Sequence, residues 1–224
     1  MELKRKQIIQ TIEEEKVIAI LRGGQGRDAL KLAEALYEGG VRLMELTFDQ
    51  RDAAARVRTA EDISALRRQL GEKMLFGAGT VTSEEMVRQA REAGAGFIIS
   101  PDTNPDVIRL TRELGMVSIP GAFSATEVMT AHRAGADFIK LFPADLGGPA
   151  YIKALTAPLS QVKLLAVGGV KIENIADYLK AGAVGAGVAS CLFTQTLIRD
   201  GKWDVITENA RRLMRALGKE PSCS

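Results

Sequence analysis

Lys140 stands within Asp137-Phe138-Ile139-Lys140-Leu141-Phe142-Pro143, an apolar, strand-forming run that a proline stops. Burying an ammonium among hydrocarbon is costly, so a lysine in such a run asks for a use. Desolvation favours the uncharged amine, and an inward Lys140 would then attack a carbonyl carbon. The competing interpretation is a strand-end lysine whose stem lies on apolar surface while its head reaches water. Glu45 sits in a matching setting, Leu43-Met44-Glu45-Leu46, where burial raises a carboxyl pKa unless a cation is close. If Lys140 is that cation, the two form a nucleophile and a proton carrier; the alternative is a buried structural ion pair without chemistry.

Other positions offer binding. Gly168-Gly169, with a helix predicted to start near Ile172, and Ser190 each follow an apolar run, and their backbone N–H groups could face an anion, although two glycines also suit a plain tight turn. Arg22 could pair with a substrate carboxylate or serve in a surface ion pair. The single histidine, His132, falls in a helical segment from Ala125 to Ala134 and is expected on its solvated face. A histidine-rich metal site and a Ser-His-Asp or Cys-His arrangement are therefore not expected. Cys191 reads as core at a helix start, and its distance from Cys223 gives no disulfide framework, which suits a reducing cytoplasm. With 30 basic against 28 acidic residues the chain offers no basic field to nucleic acid or an anionic membrane. The first residues, Met-Glu-Leu-Lys-Arg-Lys, lead into a polar stretch instead of an apolar signal core, and no run reaches membrane-spanning length.

The elements that must position these residues repeat. An amphipathic helix over residues 3–15 leads into Val17-Ile18-Ala19-Ile20-Leu21, closed by Arg22-Gly23-Gly24. Helix is predicted from Arg27 to Glu38, strand from Val41 to Phe48, and a long helix follows to Leu70. Strand Leu75 to Thr80 precedes the helix starter Thr82-Ser83-Glu84-Glu85, where hydroxyls precede acids as a cap requires. Glu92-Ala-Gly-Ala, Arg133-Ala-Gly-Ala and Lys180-Ala-Gly-Ala each end a helix on glycine and run directly into a strand. Two shorter strands, Val117 to Pro120 and Lys163 to Val167, lie between them. About eight strand and helix units with continuously apolar strands predict an α/β fold, a (β/α)8 TIM barrel spanning 1–224 as a single domain with an N-terminal helix. An open doubly wound sheet is the second choice, and Gly77-Ala78-Gly79-Thr80 supplies only half of a dinucleotide fingerprint. In a barrel the strand ends converge, so Arg22, Glu45, Thr80, Ser100-Pro101, Lys140, Phe142, Gly168-Gly169 and Ser190 would share one mouth.

These strand ends carry a likeness. The chain from Val17 to about Thr194 resembles the class I 2-keto-3-deoxy-6-phosphogluconate (KDPG) aldolases, grouped with 4-hydroxy-2-oxoglutarate aldolase and a galactonate-type enzyme. The likeness rests on Gly40-Val-Arg-Leu-Met-Glu-Leu-Thr47, Gly77-Ala-Gly-Thr-Val81, Ser100-Pro101, Ile119-Pro-Gly121, Lys140-Leu-Phe-Pro-Ala144, Gly148-Pro-Ala-Tyr-Ile-Lys-Ala-Leu155 and Val167-Gly-Gly-Val170. It implies a Schiff base on Lys140 and proton transfer by Glu45. Thr80, Pro101 and Phe142 match positions around a pyruvyl group, and Gly168, Gly169 and Ser190 match a phosphate end. It also implies a cytoplasmic homotrimer, a phosphorylated keto acid and pyruvate as small-molecule partners, and no cofactor. Two departures stand out. Many members carry an arginine where this chain has Asp49, so Arg22, matching a Leu-Arg-Gly variant of the first strand, is expected to take the carboxylate. Val167 replaces a threonine common in gluconate-type members and resembles the galactonate type, which leaves the C4 configuration open.

Overall fold

The computed structural model describes residues 2–22 and 26–219; the turn expected at Gly23-Gly24 and the tail cysteine Cys223 lie outside them. Helix α1 (Glu2–Glu15) precedes β1 (Val17–Arg22), and then helices and strands alternate: α2 (Arg27–Glu38), β2 (Leu43–Thr47), α3 (Ala53–Leu70), β3 (Leu75–Gly79), α4 (Glu84–Glu92) and β4 (Phe97–Ile99). The second half holds α5 (Pro105–Glu113), β5 (Val117–Ile119), β6 (Gly121–Ala122), α6 (Ala125–Ala134), β7 (Ile139–Leu141) and α7 (Gly148–Thr156). It ends with β8 (Leu164–Val167), α8 (Ile175–Lys180), β9 (Gly185–Val188), α9 (Gln195–Arg199) and α10 (Trp203–Ala216). Among the described residues no helix is long and apolar enough to cross a membrane.

Local chemistry sets the boundaries. Asp52 accepts the Ala54 and Ala55 N–H groups at the start of α3, Ser83 accepts that of Met86 at α4, and Ser124 with Glu127 forms a reciprocal capping box at α6. Gly135, at φ 99°, ends α6 in the left-handed conformation that glycine adopts without a Cβ clash.

The strands are parallel throughout, in the order β5-β4-β3-β2-β1-β9-β8-β7-β6. The eighth-fold pattern closes through a broken strand. The strand expected from Val117 to Pro120 stops at Ile119 and resumes at Gly121, because Pro120 has no N–H and divides it, so β5 pairs with β4 while β6 pairs with β7. Backbone bonds complete the ring: Ser118 O accepts from Asp137 and Phe138, and Pro120 O accepts from Lys140 at 2.8 Å. The result is a TIM barrel, built from eight strand positions with the fifth in two pieces.

Alternation along each strand separates two cores. Outward residues such as Met44, Leu46, Ile98, Ile139, Leu141 and Ala166 pack under the helices. Inward residues Ile18, Leu43, Phe97, Val117, Phe138 and Leu165 fill the bottom of the barrel, where Ile8 and Ile12 of α1 join them. Arg5 of α1 pairs with Asp137, whose carboxylate also accepts the Ser118 N–H at 3.0 Å, so α1 is pinned beneath the barrel. This apolar floor leaves the opposite end of the barrel for polar side chains.

Candidate active site

Two residues beyond Leu43, the pleat turns Glu45 inward between Ile20 of β1 and Gly77 of β3. Lys140 is turned inward on β7, between Gly121 of β6 and Leu165 of β8. Both are buried, Glu45 at 1% and Lys140 at 9% exposure. They line one cavity of about 310 Å³ at the C-terminal ends of the strands.

Room for the carboxyl comes from glycine. A Cβ on Gly79 would lie 1.6 Å from Glu45 Oε1, and one on Gly77 would lie 2.2 Å from the Phe97 ring. The Gly-Ala-Gly that looks like half of a nucleotide fingerprint is therefore a pair of spaces cut for two neighbouring side chains. Glu45 Oε2 is buried without a hydrogen-bond partner. Burial pushes the Glu45 pKa above its ordinary value, while the charges of Lys140 and then Arg22 pull it back part of the way. Among the described residues no hydrogen bond or ion pair joins Lys140 to Glu45. Amine and carboxylate thus face the same cavity without neutralising each other at contact distance. The Lys140 Nζ lies 4.8 Å from the centroid of the Phe142 ring, within cation–π range.

Arg22, Thr80 and Pro101 on one side and Gly168, Gly169 and Ser190 on the other line this same cavity, whereas Ser100, also expected at the mouth, is buried and does not. Arg22 is exposed at the end of β1, in register with Thr47 of β2. Thr80 follows β3 with φ 57°, a left-handed conformation unusual for a β-branched residue. Gly168 and Gly169 have φ of 98° and 68°, and a Cβ on Gly169 would lie 2.3 Å from that of Asp145. That double glycine is required twice, by its backbone and by the close approach of its neighbour.

Some expectations differ from what is observed. Ile172 to Asn174 form a turn, and helix begins at Ile175. Cys191 lies in a turn over 190–192, not at a helix start; it is half-buried against the core, and burial pushes its thiol pKa up. His132, expected on the solvated face of its helix, is half-buried on α6. Lys171, which the sequence reading passed over, lines the cavity beside the double glycine. The signal was available as a cation two residues beyond Gly169. Its backbone is set by Asn174, whose Oδ1 accepts the Lys171 N–H at 2.7 Å while Nδ2 donates to Gly169 O at 3.1 Å. Among the described residues no group of three or more His, Cys, Asp and Glu side chains is arranged to hold a metal ion.

The family model for KDPG and KHG aldolase matches residues 8–209. The chain belongs to that family. It is 35% identical over 212 residues to the 2-dehydro-3-deoxy-phosphogluconate aldolase of Treponema pallidum, covering 94% of this chain and 98% of that protein. It is 39% identical over 178 residues to the 2-dehydro-3-deoxy-6-phosphogalactonate aldolase of Escherichia coli, covering 79% and 84%. Among solved structures, the KDPG aldolase of Legionella pneumophila, with pyruvate captured as a covalent carbinolamine, superposes with a TM-score of 0.82 at 28% identity over 92% of this chain and 97% of that one. This aldolase is accordingly a class I lyase by family. At Asp49 the aldolase carries a carboxylate that accepts the Arg51 and Asp52 N–H groups, which hold its pKa below the ordinary range. Asp49 is thus engaged in shaping its own loop and does not line the cavity.

Proposed function

We propose that this aldolase cleaves phosphorylated 2-keto-3-deoxy sugar acids to pyruvate and glyceraldehyde 3-phosphate, with Lys140 as the Schiff-base nucleophile and Glu45 as the proton carrier. The observation that carries this reading is a buried amine and a buried, partly unpartnered carboxyl facing one cavity without bridging each other. The Lys140 lone pair attacks the C2 carbonyl, the carbinolamine loses water, and an iminium results. The C3–C4 bond breaks with its electron pair moving toward the iminium, giving the enamine of pyruvate. Glu45 takes the C4 hydroxyl proton as the aldehyde leaves and returns a proton to C3. Water then adds to the iminium and frees pyruvate and the amine. A carboxyl pKa raised by burial suits a group that must accept and then give a proton.

Thr80, Pro101 and Phe142 would surround the pyruvyl portion and Arg22 would take its carboxylate. Gly168, Gly169, Ser190 and the cation of Lys171 would take the distal phosphate. The unphosphorylated 4-hydroxy-2-oxoglutarate, yielding pyruvate and glyoxylate, fits the same chemistry. The reading includes a cytoplasmic homotrimer with no cofactor, nucleic-acid or membrane partner. Leu146, 74% exposed, together with exposed Phe123, supplies apolar surface for an assembly to cover. Purified protein assayed for pyruvate release with the two C4 epimers and with 4-hydroxy-2-oxoglutarate tests the reaction. Cleavage of a phosphorylated epimer is expected, with the rate ratio reporting how Val167 disposes C4. Release from neither epimer would overturn the reading.

A further inference from the structure

Among the described residues only Lys16 and Thr80 combine a side chain with a positive φ, at 63° and 57°. Lys16 has a local reason. It follows α1, and its N–H closes the helix by donating to Ile12 O at 2.9 Å. Thr80 ends no helix, and its branched Cβ makes the left-handed conformation costly. A strained residue on a cavity wall persists only where its surroundings over-determine it.

Those surroundings converge on one side chain. Gln50, exposed in the loop between β2 and α3, donates from Nε2 to Thr80 O at 2.6 Å and lies 3.5 Å from Phe48 O through the same nitrogen. Its Oε1 accepts from Thr82 Oγ1 at 2.9 Å. The amide orientation is fixed by this set, since exchanging its O and N would set an acceptor against two carbonyl oxygens. Gln50 thus grips the residues on both sides of Val81. Val81 is held independently from β4, by Ile99 O at 3.2 Å and by Ser100 Oγ, which donates to Val81 O at 2.6 Å. The loop bearing Gln50 is itself fixed, because Asp49 accepts two backbone N–H groups and Arg56 Nη1 donates to Asp49 O at 3.1 Å. Gln50 does not line the cavity, whereas Thr80 does.

We infer that Gln50 is a positioning residue: its amide holds Thr80 in the left-handed conformation that brings Thr80 onto the wall of the keto-acid site. The inference rests on the proposed Schiff-base reaction, and it goes beyond it by assigning a task to a residue outside the cavity. A glutamate at position 50 keeps the length but loses the donor, so it sets a carboxylate against the Thr80 carbonyl and releases the turn. A glycine at position 80 occupies the left-handed region without strain, so it makes the amide unnecessary.

The test is the half-saturating pyruvate concentration for borohydride trapping on the protein, read for the wild type, Gln50→Ala, Gln50→Glu, Thr80→Gly and Gln50→Ala with Thr80→Gly. Gln50→Ala is expected to raise that concentration about tenfold, the size set by losing one or two neutral hydrogen bonds, with Gln50→Glu at least as large. In the Thr80→Gly background the same alanine should change it less than about twofold, an outcome that general loss of loop structure would not produce. An unchanged half-saturation in Gln50→Ala, or an equal penalty in both backgrounds, overturns the inference while leaving the Schiff base intact. Absence of trapping in the wild type overturns the proposed reaction first and this inference with it.

Discussion

Gly79→Ala should exert its one large effect through Glu45. The added Cβ would stand 1.6 Å from Glu45 Oε1, 2.4 Å from Cδ and 2.7 Å from Cγ. Restoring ordinary contact at 3.4 Å requires Oε1 to move about 1.8 Å. Glu45 is 1% exposed and Gly79 is paired with Thr47 across the sheet, so neither side yields easily. Overpacking of this kind costs about 1–3 kcal/mol, a loss of roughly 2–10 °C in Tm for a chain of this size. Misplacing a reacting group by about 1 Å costs on the order of 100-fold, so kcat should fall at least that far. A continuous assay of pyruvate release reads the rate, and borohydride trapping of pyruvate, which needs Lys140 but not a well-placed Glu45, should persist. Introduced into Glu45→Ala, where the carboxyl is gone, the same alanine should cost little further stability. A Gly79→Ala enzyme whose kcat stays within about threefold of the wild type would refute the dependence of turnover on Glu45's position.

Glu45→Gln should lower kcat by about 10²–10⁴-fold while leaving pyruvate trapping in place, as measured by the two assays together. Its stability should also differ with pH. The folded state raises the Glu45 pKa, so the carboxyl favours folding below its unfolded pKa and that advantage is lost as pH rises through the folded value. The stability of Glu45→Gln relative to the wild type, from urea titrations, should therefore grow from the ordinary carboxylate range upward, and a flat difference would contradict the burial effect. Lys171→Ala should raise KM for a phosphorylated substrate about tenfold and leave 4-hydroxy-2-oxoglutarate unaffected; equal changes for both would remove Lys171 from the phosphate end. Arg5→Ala strands the buried Asp137 carboxylate beneath the barrel, and should cost about 3 kcal/mol in chemical denaturation with kcat unchanged.

Lys140 and Glu45 were legible because charge in an apolar strand run is expensive, and the parity of the strands turned both inward. Helix starts at Ser83 and Ser124 and the left-handed stop at Gly135 carried local signals that the folded chain obeys. What the sequence hid depends on distant partners. Pro120 looks like the end of a strand, yet its carbonyl receives the Lys140 N–H and its missing donor splits the fifth strand between two neighbours. Gly77 and Gly79 look like a turn motif until Phe97 and Glu45 are seen filling the spaces beside them. Thr80's left-handed backbone has no sequence signature at all, since glycine or asparagine would be expected there. Lys171 was overlooked because a cation next to a glycine turn resembles any exposed lysine until the cavity wall is traced.

The proposed reaction depends on one buried amine, that of Lys140, forming the covalent bond to the keto acid. Treating the protein with pyruvate and borohydride, followed by mass spectrometric peptide mapping, tests it directly. A reduced pyruvyl adduct is expected only on the peptide bearing Lys140 and not in Lys140→Ala, which should also have lost cleavage. An adduct on another lysine, or cleavage that survives Lys140→Ala, would contradict it.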